Sequence, residues 1–223
     1  MNRDLILDGA VRLIEGEGPG ALSMRRLGAA LGVEAMAIYH HFGSRDELLG
    51  AIGERMLAPL QELDLGNDWR EACHRFAAAL RDVAVRQPAT FQLLGLQPLD
   101  TPASLQPVER LLGVLVGAGN SPAAALAIYR ATVSYARGYA LAEATGFTVD
   151  AAGASGRGRL AALPVGEFPI LAGRAGELAE LDADAAYELG LRALVAGFDD
   201  PDAGERTEGH RVHRDRPPTK RLR

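Results

Sequence analysis

Residues 21–49, ALSMRRLGAALGVEAMAIYHHFGSRDELL, decide the fold of this chain. The hydroxyl of Ser23 can accept from a backbone N–H of the first helical turn, so it predicts a helix N-cap. Gly32 supplies the backbone freedom that a tight turn requires. Ser44 and Glu47 have the spacing of a capping box, which begins a further helix. A helix, a tight turn and a short second helix are the parts of a helix-turn-helix, whose second helix enters the DNA major groove.

The same stretch resembles the N-terminal DNA-binding domain of the TetR family of bacterial repressors. The matching segments are Met24-Arg25-Arg26-Leu27, Leu31-Gly32-Val33, Ile38-Tyr39-His40-His41-Phe42 and Arg45-Asp46-Glu47-Leu48-Leu49. The close match covers roughly the first 60 residues, and the rest of the chain matches in layout only. The resemblance implies an all-α protein, with an N-terminal three-helix helix-turn-helix domain and a C-terminal helical domain for ligand binding and dimerisation.

Composition agrees with a globular helical protein but not with a strongly basic one. The chain has 223 residues, of which 48% are hydrophobic, so it can bury a substantial core. Its net charge is −5, and residues 1–60 carry six arginines against eight carboxylates. The basic residues Arg25, Arg26 and Arg45 concentrate near the expected DNA-binding surface. We therefore expect a local basic patch and a modest non-specific affinity for DNA.

The sequence also indicates the cellular compartment in which the protein is found. The single cysteine, Cys73, excludes an intramolecular disulfide and is typical of a small buried side chain in a reducing compartment. The acidic, amphipathic N-terminus does not resemble a signal peptide. The longest apolar run, near residues 111–118, is too short to cross a bilayer. We therefore expect a cytoplasmic protein with no membrane partner.

Apolar periodicity predicts helices along most of the chain. The predicted helices cover residues 3–15, the helix-turn-helix at 23–41 (with its second helix at 34–40), then 45–60, a helix from 67 or 68, and 88–94, 104–116, 121–145, 169–179 and 182–198. The last of them carries Ala185, Leu189, Leu194, Val195 and Phe198. Residues 147–166 are rich in Gly, Ala and Ser and predict a mobile loop. The predicted domains are 1–46 for DNA binding, 47–198 for effector binding and dimerisation, and 199–223 as a disordered polar tail.

The resemblance implies the residues that contact DNA. Those expected at bases or backbone phosphates are Ser23, Arg25, Ala35, Met36, Tyr39, His41 and Arg45. His40 and His41 are candidates for DNA or helix-end contact, with a plain surface position as the alternative. Ile38 and Phe42 are interpreted as core. Because Ala35, Met36 and Ala37 carry no hydrogen-bond donors, we expect specificity to depend on thymine methyl groups, on Arg25 and on DNA shape.

The resemblance further implies a small effector between the helices of the C-terminal domain. The candidate lining residues are Trp69, His74, Phe76, Phe91, Arg130, Tyr135 and Tyr139, with ordinary core packing as the alternative for each. It also implies a dimer face on the helices 121–145 and 182–198. There the alanines that would permit close approach are Ala123, Ala127, Ala131, Ala193 and Ala196, and packing within one subunit is the alternative.

No pattern of catalytic or metal-binding residues accompanies these features. The glycine-rich residues 16–20 are not followed by the Gly-Lys-Ser/Thr of a phosphate loop, and we find no His pair at metal spacing and no nucleophile elbow. We therefore expect no enzyme activity, no cofactor and no metal. The sequence predicts a homodimeric repressor that binds a palindromic operator in double-stranded DNA and is released by a small-molecule effector. The rival is a helical small-molecule-binding protein or enzyme with a degenerate DNA-binding domain, and salt-dependent DNA affinity separates the two.

Overall fold

The computed structural model describes residues 1–94, 101–145 and 153–199, and these residues form α-helices joined by turns, with no strand among them. The helices are α1 (Arg3–Glu17), α2 (Met24–Leu31), α3 (Ala35–Tyr39), α4 (Arg45–Gln61), α5 (Trp69–Arg86), α6 (Pro88–Leu94), α7 (Pro102–Gly117), α8 (Pro122–Thr145), α9 (Gly153–Ala161), α10 (Ala175–Leu178) and α11 (Ala183–Ala196). The predicted all-α class is confirmed. We call α1–α3 the head and α5–α11 the body, and α4 joins them.

Local capping signals place the helix starts. Ser23 and Ser44 each accept, through Oγ, from the backbone N–H three residues ahead, at 3.2 and 3.0 Å. Asp68 caps α5 in the same way, with its Oδ1 2.8 Å from the first of two backbone nitrogens. Gly32, with φ of +69°, ends α2 in the left-handed conformation that favours glycine. These signals need only neighbouring residues, which is why the sequence located them.

Two other helix ends and one capping motif differ from their predictions. The first helix extends two residues past the predicted end, to Glu17. The helix predicted over 45–60 continues to Gln61, with Pro59 inside it. The carboxylate of Glu47 accepts from the N–H of Gly43, at 2.7 Å, so only the Ser44 half of the expected capping box forms.

The structure differs from three predictions in the C-terminal third. Residues 153–161, expected to lie in a mobile loop, form α9, and Leu160 of this helix is buried against Ala175. The helix expected over 169–179 is reduced to the single turn α10. On α11 the buried side chains are Tyr187, Leu191 and Val195, whereas Leu189, assigned to the apolar stripe, is 66% exposed. Residues 95–100, 146–152 and the predicted tail from 200 on lie outside the described residues.

The head is held by a small core and by one close helix crossing. Ile38 and Phe42 are fully buried, as predicted, and they pack with Leu27 and Leu48. A Cβ atom placed on Gly28 of α2 would lie 2.8 Å from the backbone oxygen of Val33 in the turn that follows. Only glycine therefore lets α2 approach the turn before α3 at this distance.

We predict that Gly28→Ala destabilises the protein by about 1–3 kcal/mol, because the contacted atom belongs to the backbone and cannot move alone. Gly50→Ala in α4 is the matched control, since a Cβ atom there meets nothing within 4 Å. It should stabilise by about 0.5–1 kcal/mol through helix propensity. Urea denaturation of both variants measures the difference. If both variants changed the free energy of unfolding in the same direction, the proposed close approach at Gly28 would be contradicted.

A carboxylate of the head caps a helix of the body. Glu15 of α1 accepts from the backbone N–H of Thr90 at 2.8 Å, from its hydroxyl at 2.7 Å, and from the N–H of Ala89 at 3.3 Å. These groups lie in the first turn of α6, where backbone donors have no partner within the helix. The contact joins α1 to α6 across 75 residues of sequence and orients the head on the body.

Candidate DNA-binding surface and ligand cavity

The short helix α3 presents its outer side to solvent. Met36 is 65% exposed and Tyr39 is 42% exposed, whereas Ile38 between them is fully buried. This difference follows from the helical repeat: Ile38 faces the core of the head, so Met36 and Tyr39 face outward. The side chains predicted to meet DNA are therefore accessible on α3. Its outer face offers an apolar thioether and a phenol, and α3 carries no Arg or Lys of the kind that reads guanine.

A basic cluster lies beside the N-terminus of α2. Arg45 donates from its Nε to the backbone oxygen of Leu22, at 3.2 Å, which brings its guanidinium next to the N-cap residue Ser23. Arg25, in the first turn of α2, is exposed. We call Ser23, Arg25 and Arg45 the basic cluster. Two guanidinium groups at a helix N-terminus form a setting that attracts a phosphate group.

Two of the five acidic residues in residues 1–42, and one at the start of α4, form ion pairs with arginines. Glu17 pairs with Arg26, and Asp8 pairs with Arg55. Glu47 pairs with Arg3 at 3.4 Å. Within the described residues neither arginine of the basic cluster has a carboxylate partner. The net negative charge of this part of the sequence therefore does not prevent a local positive patch.

The other three predicted DNA-contact residues differ in accessibility. Ala35 is half-buried and packs against the core of the head. His40 is exposed, and His41 is half-buried, with its backbone oxygen accepting from the side chain of Arg3. The Arg3 guanidinium also lies 4.0 Å from the centre of the Phe42 ring. Contact of all eight predicted residues with DNA stays a prediction.

A narrow cavity lies in the body between α4, α5, α7 and α8. Its lining consists of Leu57, Leu60, Phe76, Leu80, Ser104, Pro107, Val108, Tyr129, Val133 and Arg137. The free volume is about 20 Å³, which is room for a single water molecule. A larger molecule can enter only if α4 or α7 moves away from α5 and α8.

Helix α8 contributes two polar side chains, Tyr129 and Arg137, to this largely apolar cavity. The Nε atom of Arg137 is fully enclosed and has no hydrogen-bond partner among the described residues. Burial raises the pKa of the Tyr129 phenol, and the positive charge of Arg137 opposes that shift. The phenol is therefore protonated at neutral pH and can donate. The ring of Tyr129 meets Phe76 edge-on, with 6.2 Å between the ring centroids.

Of the seven residues predicted to bind the effector, only Phe76 lines this cavity. Phe91 is buried on α6, and Trp69 lies beneath the guanidinium of Arg70, 4.5 Å from its ring. Arg130 is exposed on α8. His74 lies in an open polar groove, with its Nδ1 3.6 Å from Glu188. The seven side chains do not meet in one place.

Tyr135 and Tyr139 belong to a different cluster, at the junction of α8 and α11. Their hydroxyls donate to the backbone oxygens of Tyr187, at 2.9 Å, and Ala183, at 3.0 Å. Arg81 lies over the ring of Tyr187, 4.6 Å from its centre. These tyrosines hold α11 against α8, and no contact places them at the cavity.

Sequence reasoning missed the two polar groups of the cavity. Tyr129, Val133 and Arg137 are spaced by four residues and so share one face of α8. Tyr135 and Tyr139 have the same spacing on another face of that helix. The spacing was therefore visible for both faces, but only the packing of α4 and α7 decides which of them encloses space.

Side-chain contacts tie α4, which begins beside the basic cluster, to α7. Arg110 donates to the backbone oxygens of Leu60, at 3.3 Å, Leu63, at 2.7 Å, and Gln61, and so caps the C-terminal end of α4. The hydroxyl of Thr101 donates to Glu54 at 2.7 Å. A change in the spacing of α4 and α7 therefore moves α4, the helix that carries Arg45 at its start.

Other possible sites hold no comparable geometry. Burial raises the pKa of the Cys73 thiol to about 11, so the group stays neutral and packs as a small apolar side chain. In the part of the chain that the structure describes, no three His, Cys, Asp or Glu side chains are grouped to hold a metal ion. A search of the same helices found none both long and apolar enough to span a bilayer.

Comparison with known proteins agrees with this arrangement. The family model for bacterial regulatory proteins of the TetR family matches residues 6–52, and the model for the tetracyclin repressor-like C-terminal domain matches residues 63–200. An HTH-type transcriptional regulator of Saccharopolyspora erythraea is 30% identical over 207 residues, which cover 89% of this chain and 84% of the relative. An HTH-type transcriptional repressor of Mycobacterium tuberculosis is 28% identical over 243 residues, covering 93% of each.

Solved structures show the same fold. A possible TetR-family transcriptional regulator from Streptomyces coelicolor superimposes with a TM-score of 0.74 at 28% identity, covering 89% of this chain and 98% of that one. The S. coelicolor protein ActR, solved in complex with actinorhodin, gives a TM-score of 0.70 at 27% identity, covering 92% and 98%. These relatives are regulators, which decides against the enzyme alternative. The chain belongs to the TetR family of helix-turn-helix transcriptional regulators.

Proposed function

We propose that this protein is a repressor that binds a palindromic operator as a homodimer and leaves it when a small molecule enters the cavity. The observation that carries the proposal is the link through α4. This helix has the basic cluster at one end and contributes Leu57 and Leu60 to the cavity at the other. A single rigid element therefore touches both candidate sites.

The size of the cavity suggests how release works. Because the cavity holds only about one water molecule, an effector must separate the helices to fit. It therefore binds a conformation with a displaced α4 more tightly than the conformation described here, which we take to be the DNA-binding one. Only such a difference in affinity shifts the equilibrium, and coupling energies of about 1–3 kcal/mol are typical. ActR, solved with actinorhodin, supports a small-molecule effector for this fold.

The dimer face that we propose combines the outer sides of α8 and α11. Ala123 and Ala127 are exposed on α8, and Leu126 is 45% exposed beside them. Ala193 and Ala196 are exposed on α11, as is Leu189. Small and apolar residues on two adjacent helices favour close packing with a second copy. Ala131 is half-buried, so it contributes less to this face.

We expect Leu189→Glu to shift the protein from dimer to monomer, because two buried carboxylates would face each other across a two-fold axis. Val85→Glu is the matched control. Val85 is 63% exposed on α5, away from the proposed face, so its replacement should leave the dimer intact. Sedimentation velocity at several protein concentrations measures the association constant. A Leu189→Glu protein that remains a dimer would exclude this face.

Selection from a random pool of DNA tests the operator. The proposal expects two inverted half-sites whose centres lie one helical turn, about 34–36 Å, or a multiple apart. The affinity should fall with salt, with a log–log slope of about −0.9 for each neutralised phosphate. A folded dimer that enriches no sequence at low salt, with and without a ligand in the cavity, would indicate a degenerate DNA-binding domain.

A further inference from the structure

The cavity contains a cation without an anion. Arg137 lines it, and none of the other nine lining residues carries a carboxylate. Arg137 also makes no ion pair with any residue that the structure describes, in contrast to Arg81, which binds Glu143 and Asp184. The Nε atom of Arg137 is enclosed, and an enclosed donor left without an acceptor costs free energy. A bound molecule that supplies the missing acceptor would offset this free-energy cost.

The geometry around Arg137 adds a second donor and an apolar wall. Tyr129 lies two turns before Arg137 on the same face of α8, and the charge of Arg137 acts on its phenol. No hydrogen bond within the described residues uses the Tyr129 hydroxyl. Phe76, Leu80 and Val133 form the apolar part of the lining. The hydroxyl of Ser104 donates to the backbone oxygen of Thr101 and accepts from its N–H and its hydroxyl, so it is not free to accept from the guanidinium.

We infer that the effector is an organic acid: an apolar, ring-containing molecule whose carboxylate, sulfonate or phenolate is bound by Arg137. The planar guanidinium matches the two oxygens of a carboxylate, and charge-assisted hydrogen bonds are the strong ones. Tyr129 donates a further hydrogen bond to the same acid, and Phe76 with Leu80 contacts the ring. The inference rests on the proposed function, since it assigns the effector to this cavity.

Two fluorescent probes that differ by one acidic group test the assignment. These are 8-anilinonaphthalene-1-sulfonate and its neutral parent N-phenyl-1-naphthylamine, each titrated into the full-length protein. Arg137→Met removes the charge and keeps an apolar stem. It should weaken the sulfonate probe about 10–100-fold relative to the neutral probe, the range expected for a lost hydrogen bond to a charged group. Arg137→Lys should restore part of that preference.

Two controls separate the possible outcomes. Arg130→Met removes an exposed arginine from the same helix and should leave the ratio of the two affinities unchanged. Val133→Phe fills the cavity and should abolish both probes, with thermal melting used to verify that the variant folds. Suppose that Val133→Phe abolishes binding of both probes but Arg137→Met leaves the ratio of the two affinities unchanged. Then Arg137 does not bind the acidic group, while the cavity remains the effector site. If both probes bind Val133→Phe normally, the cavity itself is not the site, and the proposed release mechanism fails with it.

Discussion

Tyr39→Ala and Arg45→Ala are each expected to weaken binding to the selected operator about 10²–10⁴-fold relative to the unmodified protein. Each hydrogen bond to a charged phosphate contributes about 1.5–3 kcal/mol, and a dimer loses its contacts in both heads, which gives about 3–6 kcal/mol in total. Arg45 is held beside Ser23 by its bond to Leu22, so little ordering of its side chain is needed when DNA binds. The dimer itself should be unaffected.

The salt dependence identifies the kind of contact that is lost. If Arg45 neutralises one phosphate in each head, Arg45→Ala should reduce the log–log slope by about 1.8. Arg86→Ala is the matched control, because Arg86 is an exposed arginine of α5, in the body. It changes the net charge by the same amount and should leave both slope and affinity near those of the unmodified protein. Single variants of Tyr39 and Arg45 with unchanged affinity would remove α3 and the basic cluster from the DNA-binding surface.

The second large effect concerns stability. Phe42→Ala should lower the free energy of unfolding by about 3–5 kcal/mol, the range for truncating a buried aromatic ring. Phe42 is fully buried between the end of α3 and the start of α4, and Arg3 lies over its ring. Because domains are stable by only about 5–15 kcal/mol, this is a large share of the total. It acts on the part of the head that orients α3.

Met36→Ala provides the comparison for that measurement. Met36 lies on α3 and is 65% exposed, so its truncation should change stability by less than about 0.5 kcal/mol. Urea denaturation at one fixed protein concentration compares the two, since a dimer's apparent stability depends on concentration. If Phe42→Ala shifted the urea midpoint of unfolding as little as Met36→Ala does, the Phe42 ring would not be what stabilises the head.

The sequence allowed the head to be predicted in more detail than the body, for a physical reason. The signals at Ser23, Gly32 and Ser44 act on backbone groups within a few residues, and each lies where it was expected. The positions of Ile38 and Phe42 follow from the same short-range periodicity. All-α class and most helices of the body could be predicted too, because apolar periodicity is also local.

The cavity could not be predicted, because its lining comes from four helices. Phe76 was recognised, but Tyr129 and Arg137 were not, although they share a face of α8. Tyr135 and Tyr139 occupy another face and pack with α11. The helix α9 was missed for a related reason. Its glycine-rich sequence has a weak helix propensity, and the packing of Leu160 on Ala175 compensates for it.

The cap that Glu15 places on α6 limits how freely this protein's parts can be exchanged. A chimera that combines this body with the head of another regulator loses the cap unless the incoming α1 carries an acid at the matching position. The N–H groups of Ala89 and Thr90 would then lack their acceptor, and the first turn of α6 would be weakened. Head and body are thus not independent modules. A head that replaces this one must keep an acidic residue at the position of Glu15.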